Sequence, residues 1–377
     1  MSGTGSRREV CLSCFHLRLR KGVKLNILFV NSTRKWGGVK SWTMDFASAL
    51  QERGHRIVCI LRPGTDFYDA CCRAGFEVYP LTFGPKYNPV AIVRALILMR
   101  RIRPDICVVN ISKDLEVGAV AAKMLGIPVV HRVGRVDDYK GSREERWRHR
   151  NLVSKILVPG RLLADGIISK FSWIKRDDVV VIHNSKRLDK YKKNVPRTVA
   201  PVIFGISGQL SDVKGHTYLL DVMKMVLDKG IDSKLKIAGQ GVLRPSLEKQ
   251  VEELGIGDAV EFCGFLTDIP AFLAELDVFV ISSLNEGFPN SLLEAVACGL
   301  PVAGFASDGV VEIAEDFGLL TPIGDTGQLA RSMMRLANDS ELRESLGNTA
   351  RQAAEELYDL NVNTRKLEAF FSAISND

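Results

Sequence analysis

LDVFVISSLNEGFPNSLLEAVACGLPV, residues 276–302, decides the fold class of this 377-residue chain. Its first eight residues form a short apolar run rich in β-branched side chains, the pattern of a buried strand. Pro289 fits the first turn of a helix, where a missing N–H costs nothing. Gly299 and Pro301 end that helix. Glu286 therefore sits on the turn leaving a strand, and Glu294 lies more than a turn into the helix. The first exposed amides, around Asn290 and Ser291, point out between them, and such a helix start attracts phosphate. Two carboxylates flanking an anion site suit a ligand with hydroxyls on either side of a diphosphate, as in a nucleotide sugar. A capped helix with two solvated carboxylates is the other reading of the segment.

Outward from this stretch the same alternation recurs. KLNILFVN (24–31) reads as a strand, 38–54 as a helix and HRIVCIL (55–61) as a strand. A helix at 89–103, a strand at 106–110, a helix at 115–126 and a strand at 127–133 follow, then the weaker strands KILVP and VVVIH. KKNVPRTVAP (192–201) is polar with two prolines and reads as a linker. After it come strands PVIFGISG, KLKIAGQG, VEFCG, VFVISS and PVAGF, separated by helices, and three further helices close the chain. Alternating strands and helices with short connections predict two α/β, doubly wound, Rossmann-like parallel-sheet domains facing across a cleft. The expected boundaries are a flexible basic extension over 1–22, a first domain over 23–195, a second over 196–358, and a C-terminal helical segment, 359–377, packing back toward the first.

Composition excludes several classes. The chain is 46% hydrophobic and 25% charged, an ordinary globular balance. Eight cysteines are scattered, several within apolar runs, so a reducing cytoplasm is expected. Cys11 and Cys14 form a lone CxxC with no second pair. The first 22 residues lack the apolar core of a signal peptide, and the apolar run 91–99 is broken by Arg94, too short to span a bilayer. Neither GGVKSW (37–42) nor GQGVLR (239–244) completes the GxGxxG spacing of a dinucleotide site. Charge is lopsided: residues 1–200 hold 38 Lys+Arg against 17 Asp+Glu, and the remainder 13 against 27. Such asymmetry predicts an anionic partner for the first half, with nucleic acid and an acidic membrane face as the two usual candidates.

GQLSDVKG (208–215), IAGQG (237–241), VEFCGF (260–265) and SSLNEGFPNSLLEAVACGLPV (282–302), in that order and spacing, resemble the retaining glycosyltransferases of family 4, of GT-B fold. The likeness runs from Lys24 to the C-terminus and is strongest over 201–321. It implies that Glu294 holds the ribose hydroxyls of a nucleotide-diphosphate sugar donor and Glu286 the hydroxyls of the transferred sugar. Amides of Gly287, Phe288, Pro289, Asn290 and Ser291 would reach the sugar and diphosphate. Lys214 would bind the diphosphate, with Gly37 and Gly38 closing over it from the other domain, and Phe265 would lie near the base. His131 matches a position beside the reacting sugar, although a packed strand-end histidine reads equally well. The implied chemistry is front-face transfer with retention, the leaving phosphate taking the acceptor's proton, with no metal and no cofactor. No DxD element follows a strand.

Two departures stand out. Gln209 replaces the family's usual Arg, so one expected cation is missing unless Arg34, Lys35 or Arg132 supplies it; otherwise turnover is slow. Ser185 follows Asn184 where the family has glycine near the interdomain crossing. In the first half, RVGRVDDYKGSREERWRHR (132–150) strings Arg143, Arg146, Arg148 and Arg150 around Trp147, as a helix on an anionic membrane requires. The expected partners are thus the donor, a glycan or lipid-linked acceptor, and peripherally the inner face of the cell membrane. Lipopolysaccharide or surface-polysaccharide assembly is the expected setting. Nucleic acid is not expected, because Glu286 and Glu294 would repel it. A catalytically weakened nucleotide-sugar- or glycan-binding relative is the alternative, and a nucleic-acid-binding protein a distant third reading.

Overall fold

The computed structural model describes residues 24–34, 37–194 and 200–375. The proposed extension 1–22, including Cys11 and Cys14, lies outside the described residues, as does Lys35.

The first domain is a seven-stranded sheet: β1 (Asn26–Asn31), β2 (Arg56–Leu61), β3 (Glu77–Pro80), β4 (Ile106–Val109), β5 (Val129–Arg132), β6 (Lys155–Val158) and β7 (Val179–Val181). Its order is β3-β2-β1-β4-β5-β6-β7, and every pairing is parallel. The intervening helices are α1 (Gly38–Glu52), α2 (Asp66–Arg73), α3 (Pro89–Ile102), α4 (Ser112–Asp114), α5 (Val120–Met124), α6 (Arg143–Leu152) and α7 (Arg161–Lys170). A single π turn, Leu115–Ala119, joins α4 to α5.

The second domain is a six-stranded parallel sheet of order β10-β9-β8-β11-β12-β13. Its strands are β8 (Val202–Ser207), β9 (Ser233–Ala238), β10 (Val260–Gly264), β11 (Val278–Ile281), β12 (Val302–Phe305) and β13 (Gly318–Thr321). Its helices are α8 (His216–Asp228), α9 (Arg244–Leu254), α10 (Ile269–Ala274), α11 (Asn290–Ala297), α12 (Asp308–Ala314), α13 (Thr326–Asn338) and α14 (Ser340–Leu357), with α15 (Leu360–Ile374) closing the chain. The strand order reverses between β1 and β4 and between β8 and β11, which places a crevice at the carboxyl edge of each sheet.

The alternation read from sequence omits α2, β3, α12 and β13. β3 and β13 are four-residue edge strands, and most of their side chains are only half-buried. They carry no continuous apolar run, so periodicity does not reveal them.

Both faces of each sheet are covered. In the first domain Phe29, Trp42, Phe46 and Phe67 form one core, and Leu28, Val30, Phe83 and Met99 the other. α15 belongs to the first of these: Leu367, Phe370, Phe371 and Ile374 pack with Trp42 and Phe46. The chain thus crosses between domains twice, and the crossings are stitched together. Lys186 N donates to Tyr358 O (2.9 Å), Leu360 N to Lys186 O (3.0 Å) and Asn363 Nδ2 to Ser185 Oγ (2.8 Å). Ser185, which stands where glycine was expected, is therefore a hydrogen-bond acceptor at the crossing.

Because Phe371 is fully buried, Phe371→Ala should destabilise the protein by about 3–5 kcal/mol. A denaturant titration checks this, and a loss below about 1 kcal/mol would mean that α15 does not complete the first core.

Candidate functional site

The turn after β11 delivers Glu286, and its neighbour is Lys214. The segment Asp212–Lys214 is one turn of 3-10 helix, closed by Gly215 at φ 63°. A Cβ on Gly215 would lie 2.1 Å from Ser282 O, so only glycine lets this loop lie against the end of β11. Lys214 Nζ then forms an ion pair with Glu286 Oε1. Gly287 is equally constrained, since its Cβ would meet Gly134 O of the first domain at 2.2 Å. The two domains touch at this point.

α11 begins at Asn290, with Pro289 as its N-cap rather than inside its first turn. Pro289 has no amide to offer, and the Phe288 ring points away from the cleft. That ring stacks on His183 (5.5 Å between centroids, 12° between planes) beside Tyr358 and is buried. Asn290 faces the first domain: a Cβ on Gly38 would be 3.3 Å from its Nδ2, and Asn184 Nδ2 donates to its Oδ1 (3.5 Å). Gly37 is extended, with open space where a side chain would project.

Glu294, one turn further along α11, meets a cation that sequence reasoning missed. Lys186 Nζ is 2.9 Å from Glu294 Oε1 and 3.6 Å from Asp45 Oδ2 of α1. Burial alone would lower this ammonium, but Glu294 and Asp45 together hold it above the usual lysine range. Burial pushes the Asp45 carboxyl up, and Lys186 offsets only part of that. The three groups line a cavity of about 520 Å3 with Ser41, Lys190 and Tyr191. No sequence signal links them, because Lys186 lies more than a hundred residues from either carboxylate.

Arg132, at the end of β5, is 4% exposed. Its guanidinium lies 4.5 Å from the Trp42 ring centre and donates to Asn184 Oδ1 (3.0 Å). Among the described residues no carboxylate pairs with it, and burial lowers it to about 10. His131, beside it, has both ring nitrogens engaged. Nε2 is 3.2 Å from Asn110 O and Nδ1 2.9 Å from the Tyr139 hydroxyl. A carbonyl only accepts, so Nε2 carries the proton and Nδ1 accepts from Tyr139. Burial drives His131 down to about 4, which leaves it neutral at pH 7. His216, the first residue of α8 after Lys214 and Gly215, is buried and likewise held to about 4, with no hydrogen-bond partner for either nitrogen among the described residues.

The structure thus brings Lys214, Glu286, Gly287, Asn290, Gly38 and Glu294 to one domain junction. Gln209 follows Gly208, where a Cβ would lie 3.6 Å from the Lys214 side chain. Gln209 is exposed, Phe265 is 69% exposed at the end of β10, and among the described residues no direct hydrogen bond or ring contact joins either to the group. The arginine run on α6 also divides. Arg143, Arg146, Arg150 and Trp147 are exposed, but Arg148 is buried in an ion pair with Glu116 (3.1 Å). Arg148 is therefore part of the core, not of the basic face.

Two family models tile the chain: Glycosyltransferase Family 4 over residues 36–189 and Glycosyl transferases group 1 over 187–353. The chain is 27% identical over 347 residues to the lipopolysaccharide core biosynthesis glycosyltransferase LpsE of Rhizobium meliloti (strain 1021), covering 86% of this chain and 95% of that one. It is 27% identical over 284 residues to the 2-deoxystreptamine glucosyltransferase of Streptomyces kanamyceticus, covering 66% and 72%. The crystal structure of Anabaena Alr3699/HepE in complex with UDP and glucose superposes with a TM-score of 0.80 at 20% identity, over 93% of this chain and all of that one. That likeness establishes the GT-B fold.

The histidines set an acid limit on stability. An unfolded histidine titrates near 6.5, so His131 and His216, held near 4, take their protons sooner when unfolded. Stability is lost as pH falls from about 6.5 toward 4. Asp114, pushed up to about 6 chiefly by burial, acts oppositely and gains stability over about 6 to 4. Lowered His149 and His183 add to the loss, and raised Asp45 and Glu312 to the gain. One net proton predicts a loss of roughly 1.4 kcal/mol per pH unit. Denaturant titrations at stepped pH check this, and His216→Gln should flatten the slope.

Proposed function

The chain belongs to glycosyltransferase family 4, and we propose that it is a retaining, metal-independent enzyme moving a sugar from a nucleotide-diphosphate donor onto a membrane-borne or anionic glycan acceptor. Nucleotide-sugar-dependent glycosyl transfer is the activity of its family. The observation that carries the finer reading is the pairing of both carboxylates with lysines on the two sides of the α11 start: Glu286 with Lys214, and Glu294 with Lys186.

In this reading the diphosphate lies on the amides at the start of α11, against Gly37 and Gly38. It draws Lys214 away from Glu286, which frees that carboxylate for the hydroxyls of the transferred sugar. Glu294, oriented by its contact with Lys186, takes the ribose hydroxyls. Negative charge grows on the leaving diphosphate as the glycosidic bond breaks, so a fixed cation there lowers the barrier more than it aids ground-state binding. Gln209 brings no charge, and Arg132 supplies the second cation from across the junction: it is buried, unmatched by a carboxylate, and one asparagine away from Asn290. His131, neutral and held at both nitrogens, shapes the floor of the acceptor side rather than carrying a proton. Gln209 also motivates the second reading, a weakened relative that binds the donor and transfers slowly. Phe265, exposed at the end of β10, is assigned to the base.

The acceptor side fits a site on the inner face of a membrane. Among the described residues no helix is long and apolar enough to cross one. α3 and α6 cover the same face of the first sheet, sharing a core through Met99 and Leu152. Outward they present Val90, Val93, Ile97 and Trp147, each more than half exposed, among Arg94, Arg101, Arg143, Arg146 and Arg150. Apolar and aromatic groups ringed by arginine suit an anionic bilayer surface. Lipopolysaccharide or surface-polysaccharide assembly is the proposed setting, and the bacterial relatives support it.

Thermal-shift screening against UDP-, GDP-, ADP- and CMP-sugars names the donor. One donor at roughly 100 times its Kd should add about 2.7 kcal/mol, and Glu294→Ala should abolish the shift. Arg132→Gln should lower kcat by roughly tenfold or more with a smaller change in donor KM. An equal loss in Kd and kcat/KM with kcat unchanged would remove it from the leaving group. EDTA should leave turnover unchanged.

Vesicle flotation tests the membrane face. Binding should require anionic lipid, weaken with salt, and fall in Ile97→Glu and Trp147→Ala. Equal binding to neutral vesicles would overturn this assignment.

A further inference from the structure

A second cavity, of about 450 Å3, opens on the other flank of the first domain, over the carboxyl ends of β1, β2 and β3. Arg34, Arg62, Gly64, Thr65, Asp66 and Thr82 line it. Arg34 comes from the loop after β1, Arg62 from the turn after β2, and Thr65 is the N-cap of α2. Among the described residues neither arginine has a carboxylate within ion-pair distance.

The backbone behind these arginines is built, not loose. Ser32 is gripped by the buried Asp114 through its amide (2.8 Å) and its hydroxyl (2.6 Å). Two residues on, Lys40 Nζ donates to Thr33 O and to Arg34 O, both at 3.2 Å. Lys40 is itself buried, and no carboxylate pairs with it among the described residues. Arg62 is fixed by Nε donating to Ser32 O (2.9 Å) and by its place over the Phe83 ring (5.9 Å). Among the described residues its terminal guanidinium nitrogens make no hydrogen bond. Two cations thus line the cavity against the single carboxylate of Asp66, with the buried Lys40 behind the loop that carries Arg34. The α2 start adds the positive end of a helix. A surplus of positive charge, held in place before anything binds, is the signature of an anion site.

Its position limits what the anion is. Arg34 is three residues before Gly37, so their Cα atoms are at most about 11 Å apart. Among the described residues the donor elements of the second domain meet the first at Gly38, Asp45, Gly134 and Asn184, none of which lines this cavity. We propose that Arg34 and Arg62 bind an anionic substituent, a phosphate or a carboxylate, on the acceptor, one or two sugar units from the hydroxyl that is glycosylated. This rests on the acceptor side of the proposed function.

The test uses the full chain with UDP at saturation to fill the donor site. Glucose 6-phosphate, glucuronate and glucose are then titrated calorimetrically. The anionic sugars should bind at least tenfold tighter than glucose. Whichever of the two binds tighter assigns the group as phosphate or carboxylate. Arg34→Gln and Arg62→Gln should each weaken the anionic sugar by roughly tenfold, and leave glucose and UDP within twofold. Arg62→Lys should fall between, because it keeps the charge and loses the fork. Arg34 is exposed, so its variant keeps the test open if Arg62→Gln loosens the loop. The proposal is overturned if the anionic sugars bind no tighter than glucose or are indifferent to both variants. It is equally overturned if UDP affinity falls in parallel, which would assign the arginines to the donor. Failure of UDP to bind at all defeats the donor reading instead, and the same titration without UDP still decides this one.

Discussion

One buried ammonium ties this molecule together. Lys186 lies on the first crossing between domains, its Nζ within reach of Asp45 on α1 and Glu294 on α11. Its backbone pairs with Tyr358 and Leu360 on the second crossing. The cation therefore touches both domains and both connections at once. Removing it would leave two carboxylates facing each other in a partly dry site, which is far costlier than losing an exposed pair. A lysine so placed also orients Glu294. The same contact that holds the domains in register prepares the carboxylate assigned to the donor.

The rest of the junction follows one rule of charge matching. Lys214 has Glu286, and Lys186 has Glu294 and Asp45. Arg132 has an amide and an aromatic face, with Asp138 acting on it without an ion pair among the described residues. In the proposed function a donor diphosphate completes this arrangement, pairing with Arg132 and displacing Lys214 from Glu286. The close approaches at Gly287 and Gly38 mean that such a ligand is held by both domains together. Closure and charge neutralisation are then one event, which suits a reaction whose barrier lies in the departure of an anion.

Much of this was legible in advance, and the reasons are local. β1, β4, β8 and β11 are buried on both faces, so their apolar runs announce them. α11 is bounded by Pro289 and Gly299, whose backbone preferences are intrinsic. β3 and β13 were not legible, because edge strands are half-buried and lose the pattern that marks a core strand. The direction of the Phe288 ring was not legible for a related reason. Its place in the motif says nothing about its direction, and packing against His183 and Tyr358 turns it inward. Arg148 looked like part of a basic surface until Glu116, brought in by the π turn before α5, drew it into the core.

The sequence by itself determined the two parallel sheets, the strand-to-helix turns and the carboxylates at 286 and 294, along with the family they signal. These depend on periodicity, on glycine and proline, and on spacing within a few dozen residues. Only the tertiary structure decided which charges meet. The junction of Lys186 with Asp45 and Glu294, the unmatched guanidinium of Arg132, the locked ring of His131 and the clamped loop beneath Arg34 all join segments distant in the chain. Side-chain electrostatics falls off over a few ångströms and depends on burial, and neither separation in space nor burial is written in the order of residues.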